Sequence, residues 1–165
     1  MSSSFLDAAA LRAIDALIDP PDVSDAQFSS ASDEGGGGSS DAFELVESVV
    51  VSEASGEHLS DTTVHRGVTR LETLRFRVSA PLVDLTRKVL NYKHFPWPVG
   101  FRYVGTDTVK MGSYEPQAEL HSFELPKAKI PDTRLACGAY RIEISYSASN
   151  FSRPLFTMKH EFTVV

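Results

Sequence analysis

Five histidines, one cysteine and a run of four glycines are the residues of this chain with the most obvious chemical potential. Their spacing argues against catalysis. His58, His65, His94, His121 and His160 are dispersed, with no His-x-x-x-His pair or carboxylate spacing of the kind that holds a metal. Gly35 to Gly38 has no Lys-Ser/Thr after it, so it lacks the cation of a phosphate-cradling loop and reads as linker. No Gly-x-Ser-x-Gly elbow is present. Cys137 stands just before a strand pattern, where a small half-buried residue is the plain reading, and one cysteine allows no internal disulfide framework. His160 falls on the apolar side of a strand pattern, the position of a hydrogen-bonded interior histidine. The expectation is a protein that is not an enzyme and uses no metal and no cofactor.

What remains suits binding. Alternation sends Phe76, Phe101, Tyr103, Met111, Tyr114, Tyr140, Tyr146, Met158 and Phe162 toward one interior. Soft methionine and aromatic linings suit a long apolar ligand. They suit a filled core as well, and periodicity does not distinguish the two.

The elements that must position these side chains are strands. Phe43 opens a region of period two, in which Val49 and Val51 are read as alternating with polar neighbours. Leu74, Phe76 and Val78 alternate with Arg75 and Arg77. Tyr140, Ile142, Ile144 and Tyr146 do the same, as do Met158, His160, Phe162 and Val164. Such strands have one apolar and one wet face, as in antiparallel sandwiches. Turn signals at Gly56, Gly105, Gly112, Pro126, Pro131 and Gly138 separate them. Residues 81–91 are ambiguous, because Leu82, Leu85 and Val89 also make a helical stripe. The predicted fold is all-β: an immunoglobulin-like antiparallel sandwich over 43–165, preceded by a flexible acidic arm over 1–42.

The arm differs from the body in charge and texture. Residues 1–47 hold ten acidic residues and one arginine, a net −9, and the remainder is +3. This asymmetry excludes nucleic acid as a partner of the arm and suits a basic protein surface or simple solubility. Ser4 to Asp19 reads as a short amphipathic helix with Ser4 as cap and Pro20-Pro21 as stop. A helix of that length is marginal alone and needs a surface, its own or another protein's. Residues 22–42 read as linker, with Ser30 three residues before Asp33 as a phosphorylation candidate. No segment approaches the roughly 18 apolar residues of a membrane span, and the N-terminus does not read as a secretory signal. With the single cysteine, this predicts a cytoplasmic protein, monomeric on its own and without stable membrane insertion. Asn150-Phe151-Ser152 matches a glycosylation sequon against the direction of those cues.

Two ordered elements add a ligand class. Met111-Gly112-Ser113-Tyr114-Glu115-Pro116-Gln117-Ala118-Glu119 is followed by Leu135-Ala136-Cys137-Gly138-Ala139-Tyr140. They resemble the Gly-Ser/Thr-Tyr/Phe-x-Pro-x-Ala-Glu and Leu-Ala-Arg-Gly-Ser-Tyr elements of the Rho GDP-dissociation inhibitor family. Trp97-Pro98-Val99-Gly100-Phe101 is similar to its Trp/Tyr-Lys-x-Gly-Val element, and Leu125-Pro126 with Pro131 matches its proline spacing. The resemblance runs from about Leu74 to Val164 and is that of a divergent member. Ser147 to Asn150 replace an acidic triplet, Met158 and His160 replace a Trp-x-Trp, and 52–73 is short.

The resemblance implies an immunoglobulin-like sandwich that buries the geranylgeranyl tail of a GDP-bound, prenylated Rho/Rac-type GTPase. This keeps the GTPase off membranes and slows GDP release. By resemblance the pocket is lined by Leu74, Phe76, Val78, Tyr140, Ile142, Tyr146, Met158, His160 and Phe162. The arm residues Leu11, Ile14, Asp15, Ile18 and Asp19 would contact the GTPase. Burying a C20 chain contributes on the order of 10 kcal/mol at about 0.8 kcal/mol per CH2. Two alternatives stand beside this: a general prenyl- or acyl-tail shuttle similar to the prenyl-binding delta-subunit group, and an interaction domain with a filled core.

Overall fold

The computed structural model describes residues 41–165. The expected Ser4–Asp19 helix, its contact candidates Leu11, Ile14, Asp15, Ile18 and Asp19, Ser30 and nearly all of the linker lie outside the described residues.

The described residues form nine strands and one 3-10 turn. The strands are β1 (Phe43–Ser52), β2 (Thr63–Val64), β3 (Thr69–Val78), β4 (Leu82–Phe95), β5 (Gly100–Tyr114), β6 (His121–Glu124), β7 (Ala128–Lys129), β8 (Gly138–Ser147) and β9 (Phe156–Val164). The 3-10 turn, Arg134–Ala136, leads into β8. One sheet has the order β1-β3-β6, with β7 also on β3; the other has the order β2-β9-β8-β4-β5. Every pairing is antiparallel except β2 with β9. The two sheets pack face to face over one apolar core, the sandwich that the alternation predicts.

Bulges explain where the periodic reading went astray. In β1 the register slips between Leu45 and Glu47, so Phe43 and Leu45 pair with Val78 and Phe76, whereas Ser48 and Val50 pair with Leu74 and Glu72. One extra residue reverses the faces. Val50, not Val49 or Val51, therefore shares the inner side with Leu74. In β4 an extra residue between Leu82 and Leu85 lets both point inward, and Asp84 takes a positive φ of 51° there. That bulge produced the false helical stripe; 82–95 is one strand. Asn150 clamps it, accepting from the Val83 N–H at 3.0 Å and donating to the Pro81 carbonyl at 2.9 Å. The sequon asparagine is thus committed to the fold.

Gly105 and Gly112 are not turns. Both lie inside β5, at irregularities opposite Asn91 and Leu85, and Gly112 supplies a φ of +98° that a side chain would resist. The slip beside Gly105 turns Val104 inward and leaves Tyr103 45% exposed beside Tyr92. Phe101 pairs with His94 on that same outer face, so neither Phe101 nor Tyr103 joins the interior as the alternation had predicted.

Candidate binding site between the sheets

The space between the sheets has two unlike halves. In the closed half Phe43 stacks on Tyr146 at 5.0 Å and meets Phe76 at 5.4 Å, and Phe76 meets the Tyr114 ring edge-on at 5.0 Å. Leu74, Val78, Leu82, Leu85 and Leu155 fill the remainder and are all fully buried. Tyr114 spends its hydroxyl on the Met111 carbonyl, at 2.7 Å.

The other half is a seam. β2 pairs with β9 only at Thr163 and Val164, so no strand among the described residues covers the outer edge of β9 from Phe156 to Phe162. β1, an edge strand of the facing sheet, also approaches β9. The inward side chains Phe156, Met158 and His160 are only half-buried, next to buried Ile144 and Ile142 on β8. Tyr140 and Phe162 close the far end, stacked at 5.4 Å. The connection between β1 and β2 crosses this opening: His58 bridges Val51, and His160 Nε2 hydrogen-bonds the Asp61 carbonyl.

A polar stripe runs along the inner face of β4. Arg87, Asn91 and Lys93 are buried opposite Tyr146, Ile142 and Tyr140 of β8. Arg87 spans the sandwich: its Nε donates to the Tyr146 hydroxyl at 3.3 Å, and its Nη2 lies 3.9 Å from Glu72 Oε2 on β3. Glu72 also accepts from Ser48 Oγ at 2.7 Å. Arg70 shares the face of Glu72, and its Nε is buried without a hydrogen-bond partner. Burial lowers the Arg70 pKa and the nearby Arg87 lowers it further, with Glu72 opposing. Two guanidinium groups thus share one carboxylate, a group with net positive charge in a place where unpaired charge is costly.

Asn91 donates to Asp107 Oδ2 at 3.0 Å, but its Oδ1 is buried without a partner. Lys93 donates to the Leu135 carbonyl and lies 5.5 Å from the Tyr140 ring centroid; burial lowers its pKa, with Cys137 opposing. The Tyr140 hydroxyl donates to the Ala136 carbonyl at 2.7 Å, and burial, then Cys137, pushes its pKa up to about 12. Cys137 itself is half-buried at the end of the 3-10 turn.

The nine lining candidates all lie on inner faces but split into two groups. Leu74, Phe76, Val78 and Tyr146 belong to the packed half. Ile142, Met158, His160, Phe162 and Tyr140 lie along the seam. Sequence reasoning passed over Arg70, Glu72, Arg87, Asn91 and Lys93. Arg70 and Glu72 continue the Leu74–Phe76–Val78 series by twos, and that was the available signal. β4 gave none, because both of its faces mix polar and apolar residues.

No family model and no curated protein matches the sequence. The fold is similar to that of the C-terminal domain of wzt, at 12% identity and TM-score 0.53, over 80% of this chain and 76% of that one. It is also similar to a Niemann-Pick type C2 protein from Japanese carpenter ant, at 9% identity and TM-score 0.50, over 79% and 98% of the two chains. This chain is an immunoglobulin-like β-sandwich. At these identities the likeness is one of fold alone. Among the described residues, no helix is long and apolar enough to cross a membrane.

Proposed function

We propose that this chain is a non-enzymatic binding protein that holds a lipid tail between its sheets, the tail being the geranylgeranyl group of a GDP-bound Rho-type GTPase. The observation that carries the tail-binding part is the partly exposed strip of Met158 and His160, continuous with buried Ile142 and Ile144 along an edge of β9 that no described strand pairs with. A flexible chain entering there would replace water against side chains that the protein already directs inward. The choice of GTPase as cargo rests on the Met111–Glu119 and Leu135–Tyr140 resemblance. The acidic arm has the sign to meet a basic partner surface. Ile142→Trp fills the seam. A geranylgeranylated peptide should raise the melting temperature of the wild-type protein and leave that of a folded Ile142→Trp variant unchanged. Equal shifts in both proteins would remove the pocket, and no shift in either would favour the filled core.

A second reading, the acyl-tail shuttle, is favoured by one specific observation. Arg70, Arg87 and the Tyr146 hydroxyl form a cationic, hydrogen-bonding group between the sheets, which suits the carboxylate of a fatty acid better than an uncharged prenyl chain. Competition between a fatty acid and its methyl ester separates the readings. A strong preference for the acid supports the shuttle; indifference to the headgroup supports the prenyl tail.

A further inference from the structure

The most exposed large apolar side chain among the described residues lies away from the seam. β4 pairs with β8 as far as Lys93, whereas its pairing with β5 continues to Phe95 and Gly100. The β4–β5 hairpin therefore projects beyond its sheet and turns through Pro96, Trp97, Pro98 and Val99. Trp97 is 92% exposed and Val99 47%. Leu135, 50% exposed, is fastened beside the hairpin by the Lys93 bond to its carbonyl. The shaft is aromatic: Phe101 meets His94 at 5.1 Å, and the Arg141 guanidinium lies 4.2 Å from the Phe101 ring centroid.

The segments that build this tip carry no carboxylate. Residues 93–102 contain Lys93 and Arg102 and no carboxylate, and residues 134–141 contain Arg134 and Arg141 and no carboxylate. Glu161 reaches Arg141 at 2.7 Å and is satisfied there. An indole held out in water at the end of a hairpin is a large apolar cost with no return inside the fold. Indole suits the membrane–water interface, where its ring is shielded and its N–H still finds acceptors. Basic residues beside it are drawn to anionic headgroups. A protein partner needs a broad surface of about 800 Å² on each side, and a projecting turn offers a point instead.

We infer that the β4–β5 hairpin is a membrane-docking finger: Trp97 and Val99 enter the headgroup region of an anionic bilayer, with Arg102 and Arg134 on the lipid phosphates and carboxylates. The inference does not depend on what the seam holds.

Trp97 is the only tryptophan of the chain, so its emission reports the tip directly. The full chain should be mixed with vesicles of phosphatidylcholine alone and with vesicles that also contain phosphatidylserine. The expected result is a blue shift of the emission with the mixed vesicles only, reversed by salt. Co-sedimentation should fall about tenfold in Trp97→Ala and fall also in Arg102→Gln. The exposure of Trp97 makes the alanine variant safe for folding, which circular dichroism checks. Emission unmoved by phosphatidylserine, a shift equal with neutral vesicles, or full sedimentation of Trp97→Ala would each overturn the proposal. A tip that ignores vesicles and is instead shielded by a protein overturns it too.

Discussion

The two halves of the inter-sheet space are built from the same strands and differ in what they do with burial. Around Phe43, Phe76 and Tyr146, rings pack on rings, and the Tyr146 hydroxyl is held by the Arg87 Nε. Around Ile142, Met158 and Arg70 the apolar lining is partly exposed, one guanidinium nitrogen and one amide oxygen lack partners, and the β9 edge has no pairing strand over Phe156 to Phe162 among the described residues. The first half is a core in the ordinary sense, where complementarity is complete. The second leaves apolar surface partly exposed and buried polar atoms without partners. Position on an inner face is therefore not enough to make a residue part of a site; the completeness of its packing separates the two roles.

The sharpest way to break this contrast is to truncate one side chain in each half. Phe76→Ala should cost about 3–5 kcal/mol in urea denaturation, and Met158→Ala about 1–2 kcal/mol, since Met158 is only partly buried. Equal costs would mean that the halves are packed alike. Next, Glu72→Gln removes the carboxylate from between Arg87 and Arg70 and should cost about 2 kcal/mol, below the fully buried limit because Glu72 is partly exposed. Glu72→Leu together with Arg87→Met should recover most of that loss, and failure to recover would show the pair to be worth more than its desolvation.

A smaller effect is alkaline. The Tyr140 pKa is raised, so its burial favours folding while the hydroxyl is neutral, below about pH 10. That stability is lost as pH rises from about 10 through about 12, with a slope of at most about 1.4 kcal/mol per pH unit. Tyr140→Phe should be flatter over the same window, and an unchanged slope would assign it to Tyr146, Tyr114 or Tyr92, which burial also raises. The smallest effect belongs to the outer faces: Arg77→Gln, which breaks an exposed pair with Glu44, should cost about 0.5 kcal/mol or less.

Much of the sandwich was legible because β3, β8 and β9 keep strict alternation with no bulge, so Phe76, Tyr140 and Phe162 could be placed inward by counting. β1, β4 and β5 carry bulges, each worth one residue, and each reversed a face or imitated a helix. A bulge depends on the partner strand, and nothing at Leu45 or Val83 announces it locally. The site was less legible than the fold. Periodicity located Ile142, Met158 and His160, yet that the β9 edge beside them has no pairing strand follows from strand order, a long-range fact. The charged stripe was hidden for another reason: Arg87 and Lys93 are long side chains of a type usually solvated, and only the assembled sheets show them covered.

Whether a lipid tail enters the seam is tested by titrating one GDP-loaded Rho-type GTPase, geranylgeranylated and bare, into the full chain by calorimetry. The geranylgeranylated form should bind, and that binding should be lost in the bare form and in Ile142→Trp. Equal affinity for the two forms, or no affinity for either across several such GTPases, would contradict it.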